Sequence, residues 1–348
     1  MLLERPPTLP CLLLCAGLAC SCGASDDSNE TVADAAPDLA VAQPEVGLDL
    51  GPVPAPDGAP DLSPTGGDGA AAPSCSGLSL PAKRDYTLTL QHGGLQRRAL
   101  VHIPPSYDPD EATPLVFNNH GSMCTAELQA QMSHLDAYAD KHGVITVTPQ
   151  GTAMIPGWNV GKSPQDYLYA QVDDVDFFRT LIAELEKTLC IDPRRTFCTG
   201  FSLGGSMCYR LSCDMSDRIA AIASVSGPDG TVTCNPKRAV PLLHIHGTAD
   251  SWASYAPDAT GYNKGAEAYV AAHAKRSGCA PQTTVTLTQG KVTCKSYSCP
   301  ATTEVTLCTV TDGGHTWPGG DGWLLGGTVN KDINASEMIL EFFDRHPM

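Results

Sequence analysis

The chain has 348 residues, 38 of them acidic and 22 basic, for a net charge of −16. That balance offers no basic footprint for nucleic acid, which needs clustered Lys and Arg. Fifteen cysteines argue for an oxidising compartment over a reducing one.

Residues 1–22 read as an export signal. The apolar run Leu9 to Ala19 has the length of a signal-peptide core and is too short to span a bilayer. Gly17-Leu18-Ala19-Cys20 resembles the lipobox of bacterial lipoproteins, which makes Cys20 the expected lipidation site, with Cys22 the alternative. Residues 23–73 carry ten acids, no Lys or Arg and no aromatic side chain. Such Pro-, Ala- and Asp-rich sequence buries too little apolar surface to offset ordering, so a disordered, extended linker is expected. These two segments imply an extracytoplasmic protein, tethered to an outer membrane or cell surface by its N-terminal lipid or else secreted.

Residues 74–348 suffice for one domain with a single large core. Their eleven cysteines imply a disulfide framework with at least one thiol left over, and Cys213 with Cys234 is the one pairing suggested by separation. No pair of C-x2-C motifs supports zinc, so no metal and no cofactor is expected.

Tyr86–Leu90 and Arg98–Ile103 alternate as strands around His92-Gly93-Gly94, a hairpin signal. Pro114–Phe117 is a buried-type strand leading to His120-Gly121-Ser122. A helix is predicted over about Thr125–His142, then a strand over Val144–Thr148. Gln150–Gln171 has no period and reads as a long loop. Val175, Phe178, Ile182, Leu185 and Leu189 recur at helical spacing within Asp173–Leu189. Arg195–Thr199, Ile219–Val225, Val240–Ile245 and Val305–Val310 are strand-like, while Ala266–Ala274 and Ser336–Phe343 are helix-like. Strands alternating with helices predict an α/β fold, a mostly parallel, doubly wound sheet with helices on both faces.

The chain turns on Gly200-Phe201-Ser202-Leu203-Gly204, set between a strand and a helix. Glycines two residues either side of a serine allow a turn sharp enough to lift its oxygen clear of the sheet, the G-x-S-x-G elbow of α/β-hydrolases. In that fold an acid and then a histidine follow on loops after later strands. Asp250 follows the strand ending at Ile245, and His315 follows the strand ending at Val310. Ser202, Asp250 and His315 are therefore the candidate nucleophile, orienting acid and general base. Asp229 and Asp258 compete as acids but follow no strand so closely. The oxyanion would be held by the backbone N–H of Leu203 and by that of Ser122, with Met123 the near alternative. Singly, a turn aspartate and a solvent histidine would be unremarkable; their order and context give them weight.

Pro114-Leu115-Val116 with His120-Gly121, Asp173-Asp174-Val175, Ile191-Asp192-Pro193-Arg194-Arg195, Gly200–Gly205, His246-Gly247-Thr248-Ala249-Asp250 and His315-Thr316-Trp317-Pro318-Gly319 together resemble the polyhydroxybutyrate depolymerase / feruloyl esterase family, close to carbohydrate esterases of acetylated or feruloylated xylan. The resemblance covers about Arg84–Phe343, and the His-Thr-Trp-Pro-Gly run is its most specific part. It implies an extracellular serine esterase with an α/β-hydrolase fold and no metal, acting on feruloyl or acetyl esters of plant polysaccharide or on short hydroxyalkanoate polyesters. The chain departs from the pattern at Asn118-Asn119, where the family has apolar residues, and at Cys124. Trp158 and Trp317 are candidates for an aromatic wall against a feruloyl ring, a sugar or a polyester chain. The expected partner is the ester substrate, with a monomeric enzyme. A non-catalytic surface lipoprotein that keeps the fold as a binding scaffold is the rival from another class.

Overall fold

The computed structural model describes residues 81–152, 155–161, 172–231, 233–259, 263–322 and 327–348, together with Cys75, Gly77 and Leu78. The leader with Cys20 and Cys22 and the linker 23–73 lie outside them. Ten strands and six helices are described. They are β1 Asp85–His92, β2 Leu95–His102, β3 Thr113–Asn119, α1 Ala126–Ser133, α2 Leu135–His142, β4 Ile145–Pro149, α3 Asp174–Leu185, β5 Ile191–Phe201, α4 Leu203–Asp214, β6 Ile222–Val225, β7 Leu242–Gly247, α5 Ala266–Arg276, β8 Ala280–Gln289, β9 Val292–Ser298, β10 Val305–Val310 and α6 Ala335–Asp344.

All ten strands form one sheet in the order β1-β2-β4-β3-β5-β6-β7-β10-β9-β8. The six central strands, β4 to β10 in that order, run parallel, and an antiparallel hairpin closes each side. Successive strand side chains point to opposite faces, so a strand buried on both sides feeds two cores. Leu115 and Phe117 join the core of Phe177, Phe178, Met207 and Val270, on the side of α3, α4 and α5. Val116 between them joins Leu135, Ile339, Phe342 and Phe343, on the side of α2 and α6. This is the doubly wound α/β-hydrolase architecture that the alternation of elements predicts.

Three local expectations are corrected. The helix predicted over Thr125–His142 is two helices, broken at His134 (φ 50°), whose N–H caps α1 by donating to Ala130 O. Continuous apolar spacing hid the break, because the left-handed residue is a histidine and not the glycine that usually marks one. The helix from Asp173 ends at Leu185, and β5 begins at Ile191, four residues before Arg195. Pro193 sits where the β3–β5 register shifts, between the pairs Thr113–Ile191 and Leu115–Thr196. The β8–β9 hairpin was not legible at all. Its edge strand is exposed on both faces, so it carries no inside–outside alternation.

Five disulfides join Cys75–Cys190, Cys198–Cys208, Cys213–Cys234, Cys279–Cys299 and Cys294–Cys308; Cys124 is a buried free thiol. Cys213 with Cys234 is the pairing expected from separation. No helix of the described residues is long and apolar enough to cross a membrane.

Candidate active site

The parallel strands deliver their loops to one edge, where open α/β sheets gather functional groups. Ser202 follows β5 directly and precedes the first residue of α4. Its backbone is in the left-handed half of the map (φ 54°, ψ −123°), a conformation that a non-glycine residue holds only when its surroundings impose it. Two contacts impose it here. Ser202 N–H donates to Val225 O at 2.8 Å, and Ser206 N–H donates to Ser202 O at 3.0 Å. Gly204 lets the helix close on β3, since a Cβ there would stand 2.1 Å from Asn119 O. Leu203 N–H, at the first position of the helix, has no intrahelical acceptor and adds to the positive end of the helix dipole.

The turn after β3 packs against this serine: a Cβ on Gly121 would meet Ser202 Cβ at 3.2 Å. Met123 N–H is committed to Pro156 O at 2.9 Å, so the alternative to Ser122 as an oxyanion donor is occupied. Below the turn lies a brace that the sequence did not reveal. His120 is fully buried; its Nδ1 donates to Gly121 O (2.7 Å) and its Nε2 accepts from Gly151 N–H (2.8 Å). Burial lowers the His120 pKa to about 4, so the imidazole stays neutral and keeps that tautomer. Asn118 and Asn119 are buried too. Asn118 bridges Ser133 and Gln129, and Asn119 donates to Cys198 Sγ.

Asp250 and His315 come together because β7 and β10 are paired neighbours, Gly247 beside Val310. His315 Nδ1 donates to Asp250 Oδ2 at 2.7 Å, with both residues buried. Asp250 Oδ1 accepts the N–H groups of Trp252 (2.9 Å) and Ala253 (2.8 Å), which fixes the carboxylate in a tight turn. Burial works to raise the Asp250 pKa, but hydrogen bonds from His246 and His315 overcome it and hold the carboxyl well below the usual range. The His315 ring packs 4.5 Å from that of Phe201, the residue before Ser202. Thus the base is tied to the acid on one side and to the elbow on the other. The competing Asp229 pairs with Arg276 at 3.0 Å instead.

The aromatic wall expected from Trp158 and Trp317 is a correction. Both indoles are completely buried. Trp158 Nε1 donates to His120 O and supports the turn from below. Trp317 Nε1 donates to Ser336 Oγ, which donates in turn to Ser133 O, and so pins the His315 loop to α6 and α1. Among the described residues, the large apolar side chains exposed on the site loops are instead Met123 and Trp252, each 52% accessible. Trp252 stands two residues beyond the acid, and its position in a short Ser-Trp-Ala run gave no periodic signal. Among the described residues no cluster of His, Cys, Asp and Glu could hold a metal ion.

Comparison with known proteins places this geometry. The chain is 31% identical over 325 residues to "Putative esterase NocK" of Nocardia uniformis subsp. tsuyamanensis, an alignment covering 82% of this chain and 92% of that one. It is 32% identical over 235 residues to feruloyl esterase B of Piromyces equi, covering 63% of this chain and 42% of that one. The chain belongs to the esterase family of these relatives. It spans under half the length of the Piromyces relative, and no family model matches it. The fold of this family is seen in the acetyl xylan esterase from Aspergillus awamori, which superposes with a TM-score of 0.55 at 13% identity over 75% of this chain and 99% of that one.

Proposed function

We propose that the chain is a serine carboxylic-ester hydrolase in which Ser202, His315 and Asp250 act as nucleophile, general base and orienting acid. The single observation that carries the reading is the buried 2.7 Å hydrogen bond from His315 Nδ1 to Asp250 Oδ2 beside a serine in elbow conformation. With Nδ1 protonated and held by the carboxylate, Nε2 is left as the basic nitrogen that takes the Ser202 hydroxyl proton. Ser202 Oγ attacks the ester carbonyl, the tetrahedral oxyanion is held by the N–H groups of Leu203 and Ser122, and His315 gives its proton to the departing alcohol. Water, deprotonated by His315, then opens the acyl-enzyme and releases the acid.

The relatives' names, feruloyl esterase and esterase, support feruloyl and acetyl esters of plant polysaccharide as the substrate class. Exposed Trp252 supplies an aromatic surface beside the acid. The proposal extends to placement: residues 1–22 export the chain, Cys20 carries the lipid, 23–73 tether the 74–348 domain, and the enzyme works outside the cytoplasm as a monomer. Five disulfides suit that compartment. The test is a panel of methyl ferulate, p-nitrophenyl acetate, acetylated xylan and polyhydroxybutyrate, assayed with the wild type and Ser202→Ala. Hydrolysis of the first three, lost in the variant, is the expected result. Turnover that survives Ser202→Ala sinks the mechanism.

A further inference from the structure

We propose that His246 is a positioning residue for the catalytic acid, and that His244 and Tyr209 complete the buried hydrogen-bonded row that holds its ring. The inference rests on the assignment of Ser202, Asp250 and His315 above. Four buried side chains form one hydrogen-bonded row behind the site. Tyr209 Oη lies 2.9 Å from His244 Nδ1, His244 Nε2 lies 2.9 Å from His246 Nδ1, and His246 Nε2 lies 2.6 Å from Ala253 O and 3.4 Å from Asp250 Oδ2. Tyr209 and His244 are fully buried and His246 nearly so.

The partners dictate where the hydrogens lie. Ala253 O and the Asp250 carboxylate only accept, so His246 Nε2 must carry a proton. In a neutral ring its Nδ1 then accepts, which makes His244 Nε2 the donor and His244 Nδ1 the acceptor. The Tyr209 hydroxyl fills that last place with its one hydrogen. Every donor in the row thus points from α4 toward the acid loop. A doubly protonated His246 would reverse the row and leave the Tyr209 hydroxyl hydrogen without an acceptor in it. Burial, with His246 and His273 nearby, holds His244 neutral, its pKa well below the ordinary value.

The consequence is a third restraint on Asp250. Backbone N–H groups of Trp252 and Ala253 hold Oδ1, while His246 and His315 both face Oδ2. His246 also ties Ala253 O, so one imidazole fixes both the carboxylate and the turn that presents it. His244 and His246 are two residues apart on β7 and share a face. Tyr209 lies seven residues, about two turns, along the helix that Ser202 begins. The row therefore links the nucleophile's helix to the acid's strand on one face of the sheet.

Imidazole ¹⁵N NMR on the wild-type protein tests the tautomers without reference to activity. His244 and His246 should both show protonated Nε2 and unprotonated Nδ1; a protonated Nδ1 on His246 overturns the inference. Kinetics supply the second arm. His246→Leu should lower kcat by about 10–100-fold, the range seen when an outer partner of a working residue is removed, with KM within twofold. His246→Gln, which returns an N–H near the Nε2 position, should recover most of that loss. Equal kcat for the wild type and the Leu variant, or for the Leu and Gln variants, overturns the positioning role. If the Leu variant does not fold, Tyr209→Phe decides the matter: the His244 Nδ1 resonance should shift as it loses its hydrogen-bond donor while both rings keep a protonated Nε2, and an unchanged spectrum contradicts the row. A fluorophosphonate probe run alongside keeps the two readings apart. Failure to label wild-type Ser202 refutes the esterase assignment, whereas normal labelling with the wrong His246 tautomer refutes this inference alone.

Discussion

At the residue scale the site depends on a few fixed hydrogens. Trp252 is an exposed aromatic side chain anchored to the acid turn through its own backbone, and on the proposed function its indole would meet an aryl group. Trp252→Ala should raise KM for methyl ferulate by roughly 2–10-fold, the worth of one aromatic contact, and leave KM for p-nitrophenyl acetate nearly unchanged. Equal effects on both substrates would mean that the indole supports the turn and not the ligand. Trp317→Phe removes the bond to Ser336 Oγ but keeps the ring. It should lower kcat for both substrates alike, because what loosens is the loop that carries His315; an unchanged kcat would show that ring packing alone holds that loop. Much of the candidate site's layout is legible from residue types at this scale, since Ser202, Asp250 and His315 each follow a strand in the order the proposed chemistry requires. The tryptophans were not. Burial of an indole depends on what the rest of the chain packs over it, and Trp158 and Trp317 sit beneath loops whose path no local pattern reveals.

At the element scale the elbow is the constrained feature. Gly204→Ala would drive a methyl group to 2.1 Å from Asn119 O, against backbone that cannot move without shifting β3. A loss of about 3 kcal/mol, the upper range for overpacking, is expected in denaturant unfolding, and a wild-type midpoint would contradict the packing described. The β8–β9 hairpin depends on covalent support instead, with Cys279–Cys299 tying β9 to the end of α5 and Cys294–Cys308 tying it to β10. Replacing Cys294 and Cys308 together by alanine should reduce unfolding free energy by about 3 kcal/mol, the value for a loop near fifteen residues. Strands buried on both faces read clearly where consecutive residues are apolar, as in Val116-Phe117 or Leu242-Leu243. The hairpin's exposed threonines are compatible with strand or loop, and only pairing with β10 decides between them.

At the scale of the whole molecule, buried neutral histidines govern the response to pH. Burial lowers the folded pKa of His120 and His273 to about 4 and holds that of His244 well below the ordinary value, while an unfolded histidine titrates at about 6.5. Between those values the unfolded chain binds more protons, so stability falls as pH drops below about 6.5, by ~1.4 kcal/mol per pH unit for each histidine at full slope. His102, held between Asp85 and Asp140, is raised; its contribution is fully present below about pH 6.5 and is lost only as pH rises through its folded value, so it adds no slope in this range. The three lowered histidines predict a melting temperature that declines from about pH 6.5 to 4.5; a flat or rising profile would contradict it. The lowered Asp250 adds stability above about pH 4 and so acts below this window.

The central claim is that Ser202 is a nucleophile activated by His315. Its most direct measurement is the intact mass and peptide map of the full chain after reaction with a fluorophosphonate probe. One adduct on the peptide containing Ser202, absent in Ser202→Ala and strongly slowed in His315→Ala, is the predicted result. No adduct, or an adduct on another residue with esterase activity intact, would contradict it.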